Sequence, residues 1–208
     1  MSGKKADTAP SQRVLEYWFG SEGRTEHAEY FGKRNHLWFM GGSKVDEEIR
    51  AEFAEDIERA ASGKLDSWKD TSRGALALIV LLDQFALNIF RGDKRGYLYS
   101  DLALPIAKDI LATGDFQAFT VAEKIFLFMP LEHSEDLKDQ EESVRLYRNL
   151  AGSAPPALGA TLKGTLAFAE RHLKVVKEFG RFPHRNAALG RVSSAAELAF
   201  LASPRAPF

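Results

Sequence analysis

The sequence predicts an all-α fold of seven or eight helices, on three observations. Apolar residues recur at helical spacing along most of the chain, helix-opening and helix-closing residues stand at the ends of those stretches, and no convincing alternation of apolar and polar residues suggests a strand. With 208 residues, 45% apolar and 27% charged, the chain is long enough to bury a core as one helical domain, 1–208, of which residues 1–11 read as a flexible N-terminal tail. That tail carries Lys4 and Lys5 but no apolar segment that a secretion system would recognise.

Each element follows from its own signals. Val14 to Phe19 form an apolar-aromatic segment closed by Gly20, which predicts the first helix, and a polar loop is expected after it. Beyond Gly41 and Gly42, Ser43 is placed to cap the next helix, with Asp46, Glu47 and Glu48 in its first turns, where carboxylates oppose the positive end of the dipole. Val45, Ile49, Phe53 and Ile57 give that helix one apolar face, and Gly63 ends it.

From about Thr71 to Phe90 the chain is apolar almost all round at first, which in a helix means burial between several neighbours, so this is the central helix. Another helix runs from about Gly96 to Thr113 and stops at Gly114; Pro105 bends it or marks its first turn. Thr120-Val121-Ala122-Glu123 is a capping box opening a helix that Pro130 closes, and Ser194-Ala195-Ala196-Glu197 is a second one before the last helix. Between them lie helices from about Ser134 to Leu150 and from about Pro156 to Phe179. A thirty-odd-residue repeat of helix pairs does not recur legibly, and no linker or low-complexity tract divides the chain.

Charge and composition exclude several function classes. Lysine plus arginine number 28 and aspartate plus glutamate 29, so no global field gathers nucleic acid or an anionic membrane surface. The longest apolar run, Ala75 to Leu82, falls well short of the ~20 residues that span a bilayer. No cysteine is present, which removes disulfides and thiolate chemistry together and suits the reducing cytoplasm. Phosphate-binding glycine loops, a serine nucleophile elbow and a dinucleotide fingerprint are missing, and no basic stripe interleaves the aromatics as single-strand binding requires.

Three segments carry more polar side chains than a helical scaffold needs. In Leu82 to Gly92, Gln84, Asn88 and Arg91 fall on one helix face, a polar stripe that faces either a ligand or a neighbouring loop. In Met129 to Gln140, the acids after Ser134 suit a helix N-terminus, but His133 is not explained by the dipole. Beside Glu132, Glu135 and Asp136 it reads as a general base with an orienting carboxylate, or as part of a hard-metal site of unspecified metal. In Phe179 to Arg191, Gly180 and Pro183 fix an irregular loop from which Arg181, His184, Arg185, Asn186 and Arg191 project without an acid, a set suited to binding phosphate or carboxylate. The competing reading pairs this basic loop with the acidic segment. His172, among Phe168, Val175 and Val176, reads as a packed core residue.

These three segments, with the opening Val-Leu-Glu-Tyr-Trp-Phe-Gly, resemble the bacterial family called domain of unknown function 924, from about Val14 to Leu201. The most specific pieces are Leu82-Asp83-Gln84-Phe85, Asn88-Ile89-Phe90-Arg91-Gly92, Met129-Pro130-Leu131-Glu132-His133-Ser134-Glu135-Asp136 and Phe179-Gly180-Arg181-Phe182-Pro183-His184-Arg185-Asn186. The resemblance implies a compact tetratricopeptide-like, α-superhelical bundle and no assigned activity or cofactor. Where the family has Pro-Arg between its Phe and Asn, this chain has Ala86-Leu87: if that arginine binds a ligand, this member has lost one contact or relies on Arg91, and if it is a surface group nothing follows.

The expectation is a site for a small anionic molecule, hydrolytic in character, where the three segments converge. Arg91, Arg181 and Arg185 would hold the anion, His133 or His184 would move a proton, and Glu132, Glu135 or Asp136 would orient the imidazole or hold a divalent ion. The rivals are a scaffold presenting a groove to a peptide or partner protein, and a buried ion network that sets helix register.

Overall fold

The structure, a computed structural model, describes residues 9–20 and 27–203, so residues 1–8 of the expected tail lie outside the described residues. Pro10 and Ser11, assigned above to that tail, instead form the first turn of helix α1 (Pro10–Phe19), where proline's fixed φ suits a helix start. Among the described residues there are nine helices and no strand.

Helix α1 ends at Gly20, whose φ of 75° is open to glycine. Of the polar loop expected after Gly20, residues 21–26 lie outside the described residues. Residues 28–40 hold α2 (Ala28–Asn35) and a π turn (His36–Met40), because Tyr30, Phe31 and Trp38 bury their rings against α1 and the core. The chain then passes almost directly into α3 (Gly42–Ala61), with Gly41 at the cap position and no side-chain cap, so Ser43 sits inside the first turn. Val45, Ile49, Phe53 and Ile57 are all buried, as their spacing requires.

The central helix α4 (Ser72–Ile89) is long and apolar enough by length and composition to cross a bilayer, which no uninterrupted apolar run suggests, because Asp83, Gln84 and Asn88 break it. In the fold 72% of that window is buried, the profile of a core helix. Its middle, Val80–Phe85, winds as a π turn, a widened turn frequent at functional sites.

Helix α5 (Lys94–Thr113) starts from Asp93, whose carboxylate caps Arg95 N, and keeps Pro105 in its interior rather than in its first turn. Helix α6 (Val121–His133) opens with the expected Thr120–Glu123 capping box but runs through Pro130 to His133. Proline deletes one ladder hydrogen bond, yet Met129, Pro130 and Leu131 are buried, and that packing carries the helix one further turn.

Helix α7 (Leu137–Ser153) starts later than Ser134 because Asp136 is its cap, accepting from Lys138 N at 2.7 Å. The fully buried Gln140 closes the α6–α7 corner by donating to Glu132 O and, at 2.6 Å, to Ser134 O. Helix α8 (Gly159–Phe179) ends at Gly180 in the left-handed conformation, and α9 (Ala195–Leu201) begins with the Ser194–Glu197 capping box.

Edge-to-face and tilted aromatic pairs bind the helices together. Trp18 lies 5.3 Å from both Phe85 and Phe126, Trp38 lies 5.0 Å from Phe126, and Phe53 lies 4.8 Å from Phe85, so α1, the π turn, α3, α4 and α6 share one cluster. A second, small cluster of Val175, Val176, Phe182 and Phe200 sits under the basic loop between α8 and α9.

Candidate functional site

A cavity of about 1290 Å³ opens between α2 with its π turn, the start of α3, α4, α6 and α8. One wall is apolar, built from Phe31, Leu37, Trp38, Phe39 and Val45. Trp38 donates its Nε1–H to Trp18 O at 2.9 Å, so its indole presents a saturated, apolar face. The other wall carries Gln84, Asn88, Arg91, Glu132, His133, Arg171 and His172.

The best-defined group on that wall is His133. Its Nδ1–H donates to Asp83 Oδ1 at 2.7 Å, which leaves Nε2 for a guest. Asp83 is fully buried on the π turn of α4 and also accepts from Gln84 Nε2 at 2.6 Å and from Ser100 Oγ of α5. Burial opposes a charge on the imidazole, but the Asp83 carboxylate outweighs it, and the affinity of His133 for a proton ends above the ordinary histidine value. The geometry is that of a histidine oriented and made more basic by a fixed carboxylate.

On α8, His172 shares its Nδ1–H between Phe168 O at 2.9 Å and Glu132 Oε1 at 3.1 Å. Burial drives this pair toward neutrality rather than toward an ion pair. It pushes Glu132 up to about 7 and His172 down to about 3, the latter helped by His133, whose ring centroid is 6.2 Å away.

The stripe on α4 meets its partners at the cavity rim. Arg91 lies 2.7 Å from Asp46 and bonds Asn88 Oδ1 at 2.9 Å, so its charge is already compensated. Arg171 of α8 differs. Its guanidinium stacks 3.9 Å over the Phe168 ring, and among the described residues no ion pair holds it.

The basic loop does not line the cavity, and acids hold two of its three arginines. Arg181 forks onto Glu197 at 2.7 and 2.9 Å. Arg191 forks onto Glu135 at 2.7 and 2.9 Å, and Glu135 also accepts from Phe182 N. Burial favours the neutral acid at Glu135, but these donors outweigh it and hold the carboxyl below its usual range. Asn186 donates to Ser193 Oγ at 3.0 Å, and Asp136 is a helix cap.

Arg185 is buried, with its guanidinium over the rings of Phe182 and Tyr97 at 4.4 and 5.0 Å; burial lowers its hold on a proton. His184 packs against Tyr97 and Phe182, and burial, then Arg185, press it down to about 4.

Of the residues singled out from sequence, Gln84, Asn88, Arg91, Glu132 and His133 come together at the cavity, whereas Glu135, Asp136, Arg181, His184, Arg185, Asn186 and Arg191 do not line it. The three segments therefore share the cavity only in part: Phe182 of the basic loop packs against His172, but the loop's polar side chains do not line the cavity. Asp83, Asp46 and Arg171 were missed as site residues, and His172 is buried as expected yet lines the cavity. Asp83 stood within a quoted motif, an acid in an otherwise apolar helix, and that was the available signal. Among the described residues no group of three or more His, Asp or Glu is arranged to hold a metal ion.

Residues 14–205 match the family model described as bacterial protein of unknown function (DUF924). No curated protein matches the chain. Among solved structures the chain is similar to a protein of unknown function from Agrobacterium tumefaciens, with 29% identity and a TM-score of 0.76 over 92% of this chain and 96% of that one.

Proposed function

On the premise that the chain belongs to the bacterial DUF924 family, whose description names no activity, we propose from the site itself that it binds a small anionic molecule and moves a proton on it, in the cytoplasm. The tetratricopeptide-like arrangement implied by the family resemblance is part of this reading, supported by the packing of α6, α7 and α8 on one another in chain order. The observation that carries the proposal is the 2.7 Å bond from His133 to a fully buried Asp83 at the wall of a large cavity. A histidine so held serves as a general base toward a water or a substrate proton, which makes hydrolysis the simplest reaction class.

The test uses a panel of p-nitrophenyl esters and His133→Gln, whose amide can still donate to Asp83 but cannot shuttle a proton. The wild type should turn over a member of the panel about 10²- to 10⁴-fold faster than an equally folded variant. Equal rates, or no turnover of any ester, would remove the hydrolytic reading.

One observation favours the alternative, a scaffold for a peptide or partner protein. Phe39 and Phe168, which line the cavity, are 58% and 46% exposed at its mouth. On that reading His133 is a structural tie, and His133→Ala would lower the melting temperature without affecting any reaction.

A further inference from the structure

Resting on the reading of the cavity as a small-molecule site, the structure narrows the class of molecule. We infer that the cavity takes an amphipathic monocarboxylate, its carboxylate on Arg171 and its acyl or aryl body against Phe31, Trp38 and Phe39.

The head group follows from charge and shape. Arg91 is committed to Asp46, so the cation on the cavity wall without an ion pair among the described residues is Arg171. Its guanidinium carbon lies 3.9 Å from the centre of the Phe168 ring, and a planar fork matches the two oxygens of a carboxylate. One uncompensated cation balances one negative charge. A phosphate dianion would meet the nearby Glu132 carboxyl with a second charge unmatched, whereas burial keeps Glu132 largely protonated up to about 7, compatible with a single anion beside it.

The body follows from the opposite wall. Its aromatic side chains offer faces rather than donors, since Trp38 Nε1–H is bonded to Trp18 O. At about 1290 Å³ the cavity exceeds the ~300–1,000 Å³ of common ligand pockets, room for a chain of several carbons beyond the head. His133, whose Nε2 has no hydrogen bond among the described residues, lines the same cavity as Arg171.

The test measures binding to the full chain of three probes, decanoate, decanol and inorganic phosphate, by titration calorimetry and by quenching of the cavity-wall Trp38. The expected result is that decanoate binds at least about tenfold more tightly than decanol, a difference of about 1.4 kcal/mol, and that phosphate does not bind. Arg171→Gln, at an exposed position, should fold normally, lower decanoate to the level of decanol and leave decanol unchanged.

Decanoate and decanol binding equally to the wild type, or phosphate binding as tightly as decanoate, would overturn the carboxylate assignment while leaving the cavity as a ligand site. No binding by any of the three would overturn both readings.

Discussion

Asp83 is the residue on which the site depends. It has no exposed surface and holds together three donors from three helices, Gln84 on its own turn, Ser100 on α5 and His133 on α6. Removing one member of a buried polar group strands the others, so Asp83→Ala should cost about 3–5 kcal/mol in chemical denaturation. His133→Gln should cost much less, since the amide preserves one donor.

Glu132 gives a pH signature of its own. Its folded value of about 7 lies above the ordinary 4.5, so between those values the folded chain binds more protons than the unfolded one, and this group's contribution to stability is lost as pH rises. His172, pressed down to about 3, acts in the opposite direction and adds stability between about 3 and 6.5 as pH rises. In Glu132→Gln the first effect is removed and the second remains. The variant should therefore gain on the wild type between pH 4.5 and 7, by up to about 3 kcal/mol at roughly 1.36 kcal/mol per pH unit, in urea melts across that range.

At this scale the sequence showed which residue types were out of place in a core but not their partners. Arg91 meets Asp46 from 45 positions away and Arg191 meets Glu135 from 56, distances over which no local pattern informs.

Elements were legible where the signal is local. The capping boxes at Thr120 and Ser194, the glycine stops at Gly20, Gly114 and Gly180 and the apolar face of α3 all stand where the residues placed them. Thr120→Ala removes the acceptor for Glu123 N and should lower stability by about 1 kcal/mol in thermal denaturation, whereas Thr113→Ala, on an exposed helix end, should lose less.

What misled was tertiary override. Pro130 reads as a terminator, yet burial on both sides carries α6 to His133, and without that extra turn neither Glu132 nor His133 would reach the cavity. The π turn in α4 is equally invisible in a 3.6-residue pattern, and it is the segment that buries Asp83 and Gln84 side by side. The segment at 28–40 was hidden because its rings face several directions, toward α1, α6 and one another.

Over the whole molecule, two polar systems lie side by side with different fates. In the one under α9, Arg191 and Arg181 are spent on Glu135 and Glu197 around the small Phe182 cluster, and Arg185 is buried over the Phe182 and Tyr97 rings. The one between α4, α6 and α8 lines the cavity, with His133 held by Asp83 and Arg171 over Phe168 without an ion pair among the described residues. The motifs read either as one convergent anion site or as a basic loop paired with the acidic segment; the helices set Arg191 on Glu135 and leave the loop's polar residues out of the cavity lining.

The most direct measurement is an NMR titration of the imidazoles of the chain's five histidines, with and without decanoate. His133 should protonate above the ordinary 6.5 while His172 and His184 stay neutral down to about 3 and about 4, and decanoate should shift His133 and His172 but not His184. A His133 that titrates at or below 6.5 and does not respond to decanoate would contradict the site.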